Sequence, residues 1–233
     1  MQKLNKDEIF TLAIHLDLQS LLSFCLCSKY IQKNLYLKDE IWIYRLKKDF
    51  PDYKKLKVEK SFREIYQVLY CLTKLKDKLK LEKNIYKLYN LQTLNLSGYD
   101  LTQIPKEIGI LKNLQTLDLS YNKLTEIPKE IYYLNNLQII YLSNNKLIEI
   151  PKEIGNLIKL KDLYLRNNKL VTIPREISNL INLETLELTY NKLTEVPKEI
   201  GILMNLKSLY LYGNKLSRIP EEITNNKNIR IIS

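Results

Sequence analysis

The stretch "LTEIPKEI", which begins at Leu124, is one of six near-copies. The others begin at Leu101, Leu147, Leu170, Leu193 and Leu216, each 23 residues after the last. No other feature of the 233-residue chain limits its folding as much. A fixed period of this length marks one structural unit stacked on copies of itself. So short a unit cannot bury its own apolar face, and each copy must cover its neighbour.

One unit reads "LQTLDLSYNKLTEIPKEIYYLNN", Leu114 to Asn136. Leu117 and Leu119 are two apart, so in a strand both point to one face. Equivalent strands then stack in parallel about 4.8 Å apart. Leu124, Ile127, Ile131 and Leu134 bring the return segment onto the same core. Pro128 cannot continue a ladder and suits the start of a helical or extended turn. Leu114, Leu117, Leu119, Asn122 and Leu124 together spell L-x-x-L-x-L-x-x-N-x-L. Units open at Leu91, Leu114, Leu137, Leu160, Leu183 and Leu206, with a fragment from Ile229.

This pattern resembles the leucine-rich repeats. The resemblance implies an α/β solenoid over residues 91–233, a curved parallel sheet backed by short return segments. The "IPKEI" form resembles the intracellular Ras-group class of these repeats, and runs in bacterial proteins and in proteins of giant DNA viruses. In that family the inner, strand-lined surface binds other proteins. Such a partner, on the concave face, is the expectation here, with the chain a monomer outside its complexes.

The alternation of the strands says which side chains that surface displays. One column reads Asn95, Asp118, Tyr141, Tyr164, Glu187 and Tyr210. The next reads Ser97, Ser120, Ser143, Arg166, Thr189 and Tyr212, and a third Gly98, Tyr121, Asn144, Asn167, Tyr190 and Gly213. Tyrosine buries much area at low entropic cost and keeps a polar tip, which suits it to interfaces. Tyr121, Tyr141, Tyr164, Arg166, Glu187, Tyr190, Tyr210 and Tyr212 are therefore the candidate target-binding residues. The mixed signs of this face disfavour a nucleic-acid backbone. The Asn column (Asn122, Asn145, Asn168, Asn191, Asn214) reads as structural, since a buried Asn can bond backbone groups where each strand turns away. The Lys column (Lys123, Lys146, Lys169, Lys192, Lys215) is interleaved with glutamates and reads as a solvated face.

Residues 1–53 lack the repeat and read as short helices. Asn5 with Glu8, then Asp17, Ser28 and Asp39, stand where helix caps are expected. Ile9, Leu12, Ala13 and Leu16 fall on one helical face. Pro51 ends the last helix. Leu4, Asp7, Leu16-Asp17, Leu18, Leu21-Leu22, Cys27-Ser28-Lys29, Ile41-Trp42 and Leu46 follow the order and spacing of an F-box, which this segment resembles. Asn5 stands where that family has Pro, and Glu8 where an apolar residue is usual. The resemblance implies docking to a Skp-type adaptor of a cullin ubiquitin ligase through Leu4, Ile9, Leu12, Leu16 and Leu18. The repeats would then hold the ligase's target. The alternative is a plain repeat scaffold, with this segment as the helical cap that a solenoid end requires.

Residues 54–90 form a basic helical linker and N-terminal cap. Ser61 suits a cap, with Phe62, Ile65, Leu69 and Leu72 on one side. Ile85 and Leu88 sit 23 residues before Ile108 and Leu111, so the stretch ends as a degenerate first unit. Of the formal net charge of +11, residues 1–90 carry +8. An acidic or nucleic-acid partner would therefore belong to Lys74, Lys76, Lys78, Lys80 and Lys83. A solvated helix face is the simpler reading.

Catalysis has no visible apparatus. The single His15 has no partner for a nucleophile pair, and no phosphate loop or dinucleotide fingerprint occurs. Cys25, Cys27 and Cys71 have no zinc-like spacing, so neither a metal nor a cofactor is expected. The charged N-terminus and the lack of a long apolar run imply a cytoplasmic protein, in a host's cytoplasm if the source is viral.

Overall fold

The computed structural model describes residues 6–17, 19–21, 23 and 39–233. The chain divides into two compact units. One takes the residues up to Asp77 with Asn84–Tyr86, and the other Lys78–Lys83 with Lys87–Ser233. Leu4, Leu18 and the expected caps at Asn5 and Ser28 lie outside the described residues, as does the side chain of Ile9.

The first unit is helical where it is described. Helix α1 runs over Lys6–His15, residues 19–21 are helical, α2 is Asp39–Asp49 and α3 is Phe62–Lys78. Asp17 caps as expected: its carboxylate accepts the amides of Gln19 at 2.9 Å and Ser20 at 3.0 Å. Ser61 and Glu64 form a reciprocal capping box at the start of α3. Acidic residues open α2 and Lys47 and Lys48 close it, matching the helix dipole. The face expected on α1 is split, because Ala13 is buried while Leu12 stays 48% exposed.

Arg45 ties this unit together in a way the sequence did not signal. It is buried, and its guanidinium donates to the carbonyls of Ala13 and Leu16 at the end of α1. It also reaches the Tyr66 hydroxyl at 3.4 Å, which donates to Asp49 at 2.6 Å. Burial pushes the Tyr66 phenol up to about 12, and the Asp49 bond adds to the shift. Trp42, almost fully buried, packs its ring 5.8 Å from that of Tyr66.

In the second unit the repeats become rungs. After helix α4 (Ile85–Tyr89), seven strands among the described residues form one parallel sheet in chain order. They are β1 (Thr93–Asn95), β2 (Thr116–Asp118), β3 (Ile139–Tyr141), β4 (Asp162–Tyr164), β5 (Thr185–Glu187), β6 (Ser208–Tyr210) and β7 (Arg230–Ile232). Register follows the sequence period from β1 to β6: Leu94 faces Leu117, then Ile140, Leu163, Leu186 and Leu209. The last pair departs from it. The period places Ile232 opposite Leu209, but Ile231 stands there. No LxL pair follows Ile229, so nothing in the core holds the terminal strand to the period.

Six of the seven prolines open the return segments. Pro105, Pro128, Pro151, Pro174 and Pro197 are extended, and each is followed by a 3-10 helix that buries its isoleucine. The sixth, Pro220, precedes a short helix α5, Glu221–Thr224. Neighbouring return segments lie so close that a Cβ on Gly155 would sit 2.7 Å from the Glu176 carbonyl oxygen. Tyr132 fills the same column one unit earlier. Its ring is buried and its hydroxyl has no hydrogen-bond partner among the described residues, so burial drives the phenol far above its ordinary pKa.

The Asn column is the internal brace. Asn145 Nδ2 donates to Leu119 O in the preceding unit at 2.9 Å and to Leu142 O in its own at 3.1 Å. Its Oδ1 accepts the Leu124 amide at 3.0 Å. Asn122, Asn168, Asn191 and Asn214 repeat the arrangement. Asn145→Ala would leave the buried Leu124 amide unpaired and remove one of the two Asn donors from each of the Leu119 and Leu142 carbonyls. It is expected to lower unfolding free energy by about 3 kcal/mol, read by urea denaturation of the repeat unit. Tyr132→Phe removes the orphaned hydroxyl and keeps the ring. It is expected to raise stability by about 1 kcal/mol in the same assay.

Candidate protein-binding face

The strands present one side chain inward and two outward, and the outward ones build a continuous surface. In the first column Tyr141, Tyr164 and Tyr210 are half-buried, on the strands β3, β4 and β6. The rings of Tyr141 and Tyr164 stack 4.8 Å apart and nearly coplanar, at 9°. That separation matches the spacing of neighbouring strands, so the sheet sets the stack. Glu187 follows on β5 and separates this pair from Tyr210. Burial raises the Tyr164 phenol above its ordinary pKa, and Asp162, Tyr141, Tyr210 and Glu187 around it add to the shift.

Two carboxylates of this column are fixed by their own strands. Asp118 accepts the amide of Ser120 at 2.9 Å. Glu187 accepts the Thr189 amide at 2.9 Å and its hydroxyl at 2.6 Å, both through Oε1. These bonds also correct the expected second column. Ser120 and Thr189 are buried rather than displayed, because their amides turn under the neighbouring carboxylates. Arg166 and Tyr212 of that column are exposed.

The third column is not strand at all. Gly98, Tyr121, Asn144, Asn167, Tyr190 and Gly213 all have positive φ, between 53° and 73°. The chain turns through the left-handed region once per unit as it leaves each strand. Glycine and asparagine accept this conformation readily, whereas a bulky tyrosine does not. Asn167 bonds to Asn144 across units at 2.8 Å. Tyr190 is held from three sides. Arg166 lies over its ring at 4.9 Å, Tyr212 meets it edge-on at 5.5 Å, and a Cβ on Gly213 would come within 2.7 Å of it. Tyr121 is 66% exposed.

Each of the eight residues expected to bind a target thus lies on the outward side of the sheet unit, and none is buried. Seven of them fall into two clusters, and Tyr121 stands apart. Tyr141, Tyr164, Glu187 and Tyr210 occupy the strands, and Arg166, Tyr190 and Tyr212 the turns beside them. Asp162 belongs with the first cluster. Of the residues expected to meet an adaptor, Leu12 is exposed and Leu16 half-buried.

A family description of the leucine-rich repeat region matches residues 51–164 and 149–233, well over half of the chain. The chain belongs to the leucine-rich-repeat family. The members of that family are in general interaction scaffolds rather than enzymes. No curated protein matches this leucine-rich-repeat chain. Among solved structures, it is similar to a leucine-rich-repeat protein of Leptospira interrogans, at 30% identity and a TM-score of 0.41 over 68% of this chain. It is also similar to the plant peptide hormone receptor RGFR1, solved in complex with RGF2, at 33% identity and a TM-score of 0.50 over 55% of this chain. It spans 57% of the Leptospira chain and 22% of the receptor chain.

Among the described residues no helix is long and apolar enough to cross a membrane, and no group of three metal-ligating side chains comes together. Because Tyr121 sits in the left-handed region with little contact to hold it, Tyr121→Gly is expected to raise repeat stability by about 1 kcal/mol. The same change at Tyr190 is expected to gain less, since the packing of its ring is lost with the strain. Paired urea denaturation curves of the two variants check this contrast.

Proposed function

We propose that this leucine-rich-repeat protein is a non-enzymatic interaction module that holds a protein partner on the concave, outward face of its repeat sheet. The carrying observation is the set of outward tyrosines Tyr121, Tyr141, Tyr164, Tyr190, Tyr210 and Tyr212, none of them buried, on side chains whose positions the rungs fix. Pre-ordered aromatic side chains lose little entropy on binding, so they favour association. RGFR1, similar in sequence to these repeats, is itself a peptide hormone receptor, solved in complex with RGF2.

The N-terminal helices extend the reading. Their resemblance to an F-box, and the exposure of Leu12 on α1, support a docking role toward a Skp-type adaptor of a cullin ubiquitin ligase. On that reading the protein is the ligase's substrate receptor in the cytoplasm, and other subunits carry out transfer.

Two measurements on the full chain test these readings. Partners of the repeat face are captured by photo-crosslinking from a residue placed at Ser143, beside the tyrosine stack. A triple variant, Tyr141→Ala, Tyr164→Ala and Tyr210→Ala, is expected to lose at least tenfold of the captured protein. A Lys146→Ala, Lys169→Ala control is expected to lose none. Equal capture by all three proteins would reject the face. Separately, a purified Skp-type adaptor is expected to bind the wild-type chain at least tenfold more tightly than a Leu12→Ala, Leu16→Ala variant. Failure of the wild type to bind it would remove the ligase role and leave the scaffold with its helical cap.

A further inference from the structure

Within strands β2 to β6 the charge runs against that of the molecule. The chain carries 37 Lys and Arg against 26 Asp and Glu. On the outward side of β2 to β6, however, the carboxylates Asp118, Asp162 and Glu187 lie among the tyrosines, and none forms an ion pair among the described residues. Where a lysine is close enough on this side, it takes another acid, as Lys207 does with Glu184. Arg166 turns to the Tyr190 ring instead of a carboxylate.

Glu187 is the best placed of the three. It lies between Tyr164 on one neighbouring strand and Tyr210 on the other. Those two tyrosines are therefore two strand spacings apart, about 10 Å at the backbone. Thr189 fixes the carboxylate through Oε1, and no hydrogen bond among the described residues takes Oε2. Tyr141 stacks on the Tyr164 ring from the strand beyond. Asp162 stands on the same strand as Tyr164, at its other end. A carboxylate flanked by a tyrosine on each neighbouring strand suits a flat or compact cation, which gains from both the aromatic rings and the charge.

Building on the protein-binding reading above, we propose that Tyr164, Glu187 and Tyr210 form a slot that takes an arginine or lysine side chain from an extended segment of the partner protein. Asp162 and Asp118 lend the surrounding face the same preference. The occupant is thus a basic segment of a protein. A nucleic acid, as a polyanion, is repelled by the same groups.

The test is a selection from a random heptapeptide library displayed on phage, with the full chain immobilised. The chain's overall positive charge favours acidic peptides, so a basic preference must come from the local face. Enriched peptides are expected to share an Arg or Lys at one position. Replacing that residue by citrulline or norleucine should weaken binding at least tenfold. Glu187→Gln keeps the acceptor for the Thr189 amide. It should weaken binding by a similar factor, with an unchanged unfolding midpoint. Peptides that depend on Tyr164 but show no basic preference, or bind Glu187→Gln equally, would overturn the slot and leave the protein-binding face standing. Peptides indifferent to Tyr164→Ala, or no enrichment at all, would count against both.

Discussion

Every feature of the second unit depends on strands that stack one period apart without slipping. Two sets of bonds enforce this. The strands exchange backbone hydrogen bonds at an unbroken 23-residue offset from β1 to β6. The Asn column then stitches each unit to the one before, bonding a strand-end carbonyl behind and an amide of the return segment. A shift of one residue would turn every core leucine outward. It would also pull the Asn side chains from groups that have no water to turn to. The leucines supply the driving force, and the asparagines supply the register.

Because the core columns are fixed, the outward columns are free to vary. Tyr141, Tyr164, Glu187 and Tyr210 hold equivalent places on successive rungs, yet differ in chemistry without disturbing a single buried leucine. Their mutual geometry, including the coplanar stack, is inherited from the strand spacing. A surface of this kind holds its shape before any partner arrives. The turns beyond the strands show the limit of that freedom, since their left-handed backbone suits Gly and Asn and is strained by Tyr121 and Tyr190.

Much of this was legible in the sequence because a repeat states its periodicity several times over. The strand positions, the Pro-led return segments, the Asn brace and the Ser61 and Asp17 caps all follow from local rules of spacing and hydrogen bonding. What escaped was non-local or conformational. Arg45 lies 32 residues from the Ala13 carbonyl it reaches, and nothing in its neighbourhood marks it as buried. Alternation placed Ser120 and Thr189 on the surface, but it could not show that Asp118 and Glu187 fold down over them. The third column read as a continuation of the strand because tyrosine there conceals a turn that glycine elsewhere announces. At β7 the missing leucine pair removed the very signal from which register is read.

The chain has a single tryptophan, Trp42, and it sits in the core of the helical unit rather than among the repeats. Indole emission therefore watches only the N-terminal helices, whereas the 17 tyrosines lie in both units and their absorbance follows the whole chain. A melt followed at both signals shows whether the two units unfold together or one after the other in the unmodified protein.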